Sequence, residues 1–221
     1  MSVIAIDGPA GSGKSTLARL LADRLGYSYL DTGAMYRAIA YLALRDGVAL
    51  DDGPDLARLA HDAHLAFGDD GRMLAFDADV SDEIRRPAVS AAVSEVSAHA
   101  DVRQVLVAEQ RRIGTEQDVV VEGRDIGTVV FPDAPVKIFL TATPPVRAER
   151  RRKELIAKGE HVRADETLAA IEARDAYDSE RAVAPLKAAE DAIELDTTGL
   201  TIEGVVEAAA AIVGRRLGGG G

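Results

Sequence analysis

The sequence predicts an α/β fold in which a parallel sheet is flanked by helices. Short apolar runs alternate with helical stretches along most of the chain, which is typical of a sheet whose crossover helices cover both faces. A glycine-rich loop follows the first apolar run and opens directly into a helix. Five runs are predicted to form the strands of this sheet: 3–6, 28–30, 119–121, 136–140 and 192–195.

Helices are predicted between these strands and in a long excursion after the second one. They span about 15–25, 34–46, 54–65, 86–98, 101–113, 144–157, 164–178 and 201–217. Four of them are predicted to end at a glycine in the left-handed conformation, namely Gly26, Gly47, Gly114 and Gly159. Thr201 stands where a hydroxyl would cap the start of the last helix.

Composition excludes several classes of protein. Hydrophobic residues make up 47% of the 221 residues, but no apolar stretch approaches the roughly 20 residues that a membrane-spanning helix needs. The formal net charge of −11 argues against a general nucleic-acid partner, because nonspecific binding depends on basic residues that neutralise phosphates. The chain has no cysteine, which excludes disulfides and thiolate catalysis. We therefore expect a partner that is neither a membrane nor a nucleic acid.

The glycine-rich loop has the spacing of a phosphate-binding P-loop. Residues 8–15 read G-x-x-x-x-G-K-S between a predicted strand and a predicted helix, which is the setting that the motif requires. Glycines let several amides face one anion, Lys14 adds a full positive charge, and the Ser15 hydroxyl suits a magnesium ion that bridges phosphates. The residues predicted to bind a nucleoside triphosphate are Gly8, Gly11, Ser12, Gly13, Lys14, Ser15 and Thr16.

Two stretches interrupt the alternation of strands and helices. The first, 32–114, inserts several helices and a polar hairpin at 65–80, and we predict that it forms a substrate-gripping subdomain on a core made of 1–31 and 115–221. The second, about 147–163, concentrates basic residues in an otherwise acidic chain. It is predicted to be either a mobile lid whose arginines close over a triphosphate or a solvated helix face.

Three clusters place arginine beside small polar or acidic residues at the ends of predicted elements. In the first, 31–37, Thr32 and the amides after it begin a helix and can hold an anion, with Arg37 one turn further along. The alternative for this cluster is an ordinary N-cap with a surface arginine.

The second cluster, 122–128, follows a predicted strand of the sheet and contains Arg124 and Asp125. Ligands of open α/β sheets bind at the carboxyl ends of the strands, so these side chains should face the same crevice as the P-loop. The structural alternative is a turn held by a salt bridge between Arg124 and Asp125.

In the third cluster, 174–181, Arg174, Asp178 and Arg181 fall on one face of a predicted helix. The same spacing is equally typical of a surface salt-bridge ladder. Together the three clusters exceed what one triphosphate needs, which indicates a second, phosphorylated substrate.

Four segments of the chain together resemble the bacterial cytidylate kinase family, over about residues 3–215. They are 6–15 (IDGPAGSGKS), 31–37 (DTGAMYR), 122–132 (EGRDIGTVVFP) and 181–186 (RAVAPL). The resemblance implies a P-loop core with an enlarged monophosphate-binding domain and a lid. It also implies direct in-line transfer of the ATP γ-phosphoryl group to CMP or dCMP, with Mg²⁺ as the cofactor.

The resemblance also assigns roles to individual residues. It places Thr32, Arg37 and Arg124 around the acceptor phosphate, Ser94, Arg103 and Asp125 around the cytosine, and Arg174, Asp178 and Arg181 at the sugar hydroxyls. Lys14, Arg37 and Arg124 are the predicted catalytic residues, and Arg151 of the lid is predicted to contact ATP. Glu122 stands where aspartate can occur, so a role at the metal would have to tolerate its longer side chain.

Asp125 gives an independent reason for the choice of base. A carboxylate accepts a hydrogen bond from the exocyclic amine of cytosine and repels the carbonyl of uracil, a contact worth roughly 5- to 150-fold in discrimination. Two alternatives stay open, namely a kinase of the same architecture for another small acceptor such as UMP, and a nucleotide-dependent regulatory ATPase. We expect a monomer, since no apolar interface pattern stands out, and a cytoplasmic location, where ATP is found.

Overall fold

The computed structural model describes residues 1–68 and 71–218. The chain divides into two compact units, one formed by Met1–Leu30 and Gln117–Gly221 and the other by Asp31–Glu116. Each unit has its own sheet.

The first unit is built on the predicted parallel sheet, which is confirmed. Its five strands, in spatial order, are β2 (Ser28–Asp31), β6 (Val119–Gly123), β1 (Val3–Asp7), β7 (Val136–Thr141) and β8 (Ile193–Asp196). The central strand β1 pairs in parallel with β6 and β7, and β7 pairs in parallel with β8. β1 and β6 are almost continuous apolar runs because their residues are buried on both faces of the sheet.

The helices of this unit within the described residues are α1 (Lys14–Leu25), α6 (Pro144–Ala157), α7 (Ala164–Glu180) and α8 (Ile202–Leu217); α1 and α8 pack on the sheet, and α6 and α7 pack on each other. Leu17 and Leu21 of α1 and Ile212 of α8 pack with Ile4 and Ile138 of the sheet in one buried cluster. A π-helical turn at Ile126–Val130 follows β6. Such turns are rare and are frequent at functional sites.

The second unit is mostly helical. Its helices are α2 (Thr32–Asp46), α3 (Gly53–Asp62), α4 (Pro87–Val96) and α5 (Ala100–Gly114), with a 3₁₀ turn at Glu83–Arg85. The predicted hairpin is present as β3 (Ala66–Phe67) and β4 (Met73–Ala75), and a third antiparallel strand, β5 (Ala78–Asp79), extends it. Phe76 and Asp77 join β4 to β5 with φ of 50° and 60°, the left-handed conformation that tight hairpins need. The sequence shows no Asn-Gly or Asp-Gly there, so this strand was not predicted.

Most of the predicted helix boundaries are confirmed. Gly26, Gly47 and Gly159 adopt the left-handed conformation, and the Thr201 hydroxyl accepts a hydrogen bond from the amide of Gly204. The prediction for Gly114 is wrong: it is the last residue of α5, and Thr115 ends the helix in a right-handed conformation. The Thr115 amide bonds to the last carbonyls of α5, so no left-handed residue is needed there. Within the described ranges, no helix has both the length and the apolar character to cross a membrane.

Candidate active site

The P-loop backbone is shaped by glycines that no other residue could replace without strain. Gly8, Gly11 and Gly13 all have positive φ, at 148°, 73° and 98°. A Cβ on Gly8 would lie 2.1 Å from the carbonyl oxygen of Leu140 in β7, and one on Gly11 would lie 2.9 Å from the carbonyl oxygen of Arg147 in α6. The backbone of the loop therefore packs directly on the end of β7 and on α6.

The loop opens into the first turn of α1, where donors are available to a ligand. Gly13 precedes the helix without a side-chain cap, and Ser15 and Thr16 are exposed. The uncapped amides of a helix N-terminus form an anion-binding site. Lys14 is buried and donates from Nζ to the carbonyl of Pro9 at 2.9 Å, while the buried hydroxyl of Ser12 has no hydrogen-bond partner in the part of the chain that the structure describes.

Arg124, at the carboxyl end of β6, bonds to two different parts of the first unit. Its Nε donates to Oδ2 of Asp178 in α7 at 2.9 Å, and its Nη1 donates to the carbonyl oxygen of Gly8 at 2.8 Å. Asp125, the partner that the alternative interpretation expected, lies 3.7 Å from Nη2 of Arg181 instead. Arg124 is thus placed directly beside the P-loop.

The third cluster is not a surface ladder. The side chain of Asp178 is only 4% exposed and that of Arg181 only 5%, and Nε of Arg174 lies 3.9 Å from Oδ2 of Asp178. The structure thus gathers five predicted site residues into two ion-paired groups, Arg124–Asp178–Arg174 and Asp125–Arg181, which we together call the β6 network. Carboxylates so deeply buried are stabilised as ions only when guanidinium groups accompany them.

Asp7, the last residue of β1, belongs to the same region and was missed by the sequence analysis. Its two carboxylate oxygens accept hydrogen bonds from the amides of Ile126 and Gly127, each at 2.8 Å, so it caps the π-helical turn after β6. Burial raises the pKa of the Asp7 carboxyl to about 6, although the two amides oppose this. An acid between a buried strand and a P-loop was the signal available in the sequence.

The pKa of Lys14 depends on the buried charges around the P-loop. Burial and the nearby guanidinium of Arg124 lower the pKa of Lys14 to about 7, and the carboxylate of Glu122 opposes the shift. Glu122 is itself buried, and its Oε1 accepts a hydrogen bond from the hydroxyl of Tyr29 in β2 at 2.6 Å. A region where positive groups destabilise one another is suited to a polyanion.

The basic stretch at 147–163 has two parts with different surroundings. Arg147 and Arg150 bond to carbonyls of the P-loop, so the alternative of a solvated helix face does not describe these two, while the lid at 147–163 stays a prediction. Arg151 is 30% exposed and pairs with Glu154 of the same helix at 2.9 Å. Arg152 and Lys158 likewise pair with glutamates of α6, whereas Arg163 pairs with Asp165 in the first turn of α7.

In the second unit, the structure places the predicted acceptor residues at the start of α2 and on α4 and α5. Asp31 caps α2 by accepting from the amide of Ala34 at 2.9 Å, and its other oxygen pairs with Arg37 at 2.8 Å. Thr32 is buried in the first turn. The first cluster therefore combines an N-cap with an arginine that is held in place, rather than free at the surface.

Arg103 and Ser94 are positioned by their own helices. Arg103 is buried in α5, donates to the carbonyl of Ser97 at 3.4 Å, and lies with its guanidinium 5.6 Å from the ring centroid of Tyr36. Ser94 is half-buried in α4, and its carbonyl accepts from the hydroxyl of Ser97. Ser97 therefore contacts both residues.

The residues around the P-loop fit a magnesium ion that is held mainly by phosphates. Across 1–68 and 71–218, no group of three or more His, Asp or Glu side chains is arranged to bind a metal. Mg²⁺ in kinases is commonly bound through phosphates, waters and one or two protein ligands, so a preformed cage is not required. The exposed hydroxyl of Ser15 and the buried carboxylate of Glu122, which acts on the charge of Lys14, supply the ligand types that such an ion uses.

The parallel sheet, the P-loop and the arginine network define a P-loop phosphotransferase. The same fold occurs in a gluconokinase from Sinorhizobium meliloti 1021, with a TM-score of 0.50 and 16% identity over 98% of this chain and 94% of that one. The chain belongs to the cytidylate kinase family, whose model matches residues 4–215. This membership confirms the resemblance that the four sequence segments indicated.

Individual relatives match the chain almost from end to end. A cytidylate kinase from Geobacter sulfurreducens is 51% identical over 97% of this chain and 93% of its own length. Another, from Carboxydothermus hydrogenoformans, is 50% identical over 96% of this chain and 97% of its own length. The similarity therefore covers both units.

Proposed function

We propose that this chain is a cytidylate kinase that transfers the γ-phosphoryl group of ATP to CMP and dCMP, producing CDP and dCDP. The observation that carries the proposal is the match to the cytidylate kinase family across residues 4–215, which includes the P-loop and all three arginine–acid clusters. A regulatory ATPase would have no use for the β6 network, because a nucleotide switch requires no second phosphorylated substrate.

The donor side consists of the P-loop and the first turn of α1. We propose that the amides of Gly8, Gly11, Ser12 and Gly13 and the side chains of Lys14, Ser15 and Thr16 bind the ATP phosphates, with a contact from Arg151. Ser15 would hold Mg²⁺, which would neutralise part of the charge of the phosphates. Burial and the guanidinium of Arg124 lower the pKa of Lys14, and a bound polyanion would favour its charged form.

The acceptor side is formed by the clusters. Thr32, Arg37 and Arg124 are proposed to bind the acceptor phosphate, Ser94, Arg103 and Asp125 the cytosine, and Arg174, Asp178 and Arg181 the sugar hydroxyls. Arg124 also contacts the donor side, since it donates to the carbonyl of Gly8. We propose that its guanidinium stabilises the negative charge that moves from ATP to the acceptor during the transfer.

The transfer needs no general base, because the acceptor phosphate is already an anion. Catalysis then consists of holding two polyanions in line and neutralising the charge that moves between them, which is the role proposed for Lys14, Arg37 and Arg124. The exposed part of the basic segment, from Arg151 to Arg163, is proposed as the lid that excludes water and prevents ATP hydrolysis. The protein is proposed to act as a monomer in the cytoplasm, where its nucleotides are found.

The test is an ADP-release assay with ATP, Mg²⁺ and a panel of acceptors. We expect rapid ADP release with CMP and dCMP, slower release with UMP, and little with AMP or without an acceptor. Activity greatest with UMP or AMP would assign a different acceptor to the same fold. Release that is independent of every acceptor would favour the regulatory ATPase.

A further inference from the structure

Two arginines of α6 donate hydrogen bonds to carbonyls of the P-loop. Nη1 of Arg147 donates to the carbonyl of Ala10 at 3.1 Å, and Nη1 of Arg150 donates to the carbonyl of Ser12 at 3.2 Å. We call Arg147 and Arg150 the α6 brace. The brace contacts the loop through the carbonyl oxygens of Ala10 and Ser12, not through the loop amides.

These carbonyls matter because of how a P-loop binds an anion. When successive amides converge on one ligand, the carbonyls between them point away, and a buried carbonyl without a donor is costly. The brace supplies donors for the residues on either side of Gly11, whose Cα packs so closely on α6 that a Cβ would lie 3.1 Å from the Cβ of Arg147. Residues 10–12 of the loop are thus bonded at both ends and packed in the middle.

The other contacts of the brace fix the arginines themselves. Arg147 is 4% exposed, and its other two nitrogens bond to the carbonyl of Ala142 at 2.8 Å and to Oδ2 of Asp175 in α7 at 2.6 Å. Arg150 bonds to both the hydroxyl and the carbonyl of Thr197, at 2.9 and 2.8 Å. A guanidinium that makes several bonds in one plane has little freedom, so each arginine acts as a rigid link.

Thr197 completes the arrangement from the end of β8. It is 1% exposed, and its hydroxyl lies 3.3 Å from the carbonyl of Ser12 and 3.0 Å from that of Thr141. The Ser12 carbonyl is therefore approached by donors from α6 and from the chain after β8. This part of the loop is held by residues more than 130 positions away in the sequence.

We propose that Arg147 and Arg150 are positioning residues for the donor triphosphate, holding the P-loop in the conformation in which its amides bind phosphate. The brace also joins the donor site to α6 and, through Asp175, to α7, the two helices that precede and follow residues 158–163. A displacement of α6 is then transmitted to the loop carbonyls. This inference rests on the proposed function only in requiring that the P-loop ligand is a nucleoside triphosphate.

The test compares Arg150→Lys with wild type. Lysine keeps the positive charge but cannot donate to Ser12 and both acceptors of Thr197 at once. We expect the dissociation constant of a non-hydrolysable ATP analogue, measured by calorimetry, to rise about tenfold, as for the loss of one charge-assisted hydrogen bond. The KM for CMP should stay within about twofold, because the brace touches no proposed acceptor residue. Thr197→Val should raise the same dissociation constant by a smaller factor, about threefold.

The control is Arg24→Gln on α1, the helix that the loop opens into. Arg24 forms an exposed pair with Glu207 and touches neither the loop nor a proposed site residue, so its ATP affinity should equal that of wild type. The unfolding midpoint of each variant without ligand separates positioning from stability. If Arg150→Lys and Thr197→Val lower the midpoint but bind the ATP analogue as wild type does, the inference is overturned. If the wild type binds the analogue but phosphorylates neither CMP nor dCMP, the proposed function fails while the brace can still be tested.

Discussion

The two basic regions of the first unit have similar charge spacing and opposite surroundings. In the β6 network, the carboxylate of Asp178 is 4% exposed and lies within 4 Å of two guanidinium groups. Between Glu149 and Asp165, the exposed pairs that we call the lid ladder join Glu149 to Arg152, Glu154 to Arg151 and Lys158, and Arg163 to Asp165, with every side chain at least 30% exposed. Charges three or four residues apart therefore identify neither a site nor a surface. What separates the two regions is whether other elements cover the charges.

Burial changes what such a pair does for the protein. Exposed pairs are screened by water, contribute little to stability and are easily rearranged, which would suit the proposed lid. Removal of one partner from a buried pair leaves a charge in a poorly solvated place and typically costs about 3–5 kcal/mol. The β6 network is therefore expected to be rigid and sensitive to substitution, and the lid ladder tolerant.

The largest effect is expected for Arg124→Ala. We expect kcat to fall by about 10³-fold or more, since an arginine that stabilises a transferring phosphoryl group contributes about that much. The unfolding free energy should fall as well, because Asp178 loses its 2.9 Å partner. Steady-state kinetics and denaturant titration measure the two effects, with Arg24→Ala as the control. Near-normal turnover would remove Arg124 from the mechanism and leave it a structural residue.

Asp178→Asn tests sugar recognition within the same network. The amide keeps the size of the side chain but loses the charge that pairs with Arg124 and Arg174. We expect the KM for CMP to rise about tenfold or more, and the ratio of kcat/KM for CMP to that for dCMP to move toward one, since dCMP lacks the 2′-hydroxyl. Kinetics identical to wild type with both nucleotides would show that Asp178 serves only the stability of the network.

The buried region should also respond to pH through Lys14. Its pKa is lowered to about 7 in the free protein, and a bound triphosphate favours the charged form and raises that pKa again. ATP binding at pH 8 is therefore expected to take up a large fraction of a proton, and binding at pH 6 almost none. Calorimetry in buffers of different ionisation enthalpy measures this uptake. Equal uptake at both values would show that Lys14 is already charged in the free site.

The same shift gives the sign of a stability effect in the absence of ligand. Because the pKa of Lys14 is lower in the folded than in the unfolded chain, the unfolded chain binds more protons between pH 7 and about 10.5. The contribution of Lys14 to the unfolding free energy therefore becomes more favourable as the pH rises through that range. The Lys14→Met variant, which has no group to titrate, should lack this contribution.

The smallest effect is expected in the lid ladder. Lys158→Gln removes an exposed pair with Glu154, and the unfolding midpoint should change by less than about 1 °C. Differential scanning calorimetry on wild type and variant checks this. A loss of several degrees would mean that the ladder is packed like the β6 network, and the comparison between the two regions would no longer hold.

Sequence patterns were reliable where the signal is local. The P-loop, the parallel strands, the helices and three of the four glycine caps follow from spacings of a few residues, and all have the predicted form. Patterns failed where a distant partner decides the outcome. The basic run containing Arg147 and Arg150 predicted either a mobile lid or a solvated helix face, and neither prediction included their acceptors, which are carbonyls of the P-loop. Asp7 was overlooked because the amides that it binds belong to the turn after β6.

The sequence by itself predicted the α/β fold, the phosphate-binding loop and the family. Glycine spacing, apolar periodicity and motif order are sufficient for these predictions because they are properties of neighbouring residues. Only the tertiary structure decided which charges are buried and with whom they pair. Arg124 and Asp178 are 54 residues apart, and Arg150 and Ser12 are 138 apart. Water is removed from such groups only when separate elements pack together, and that removal turns a surface charge into a fixed part of a site.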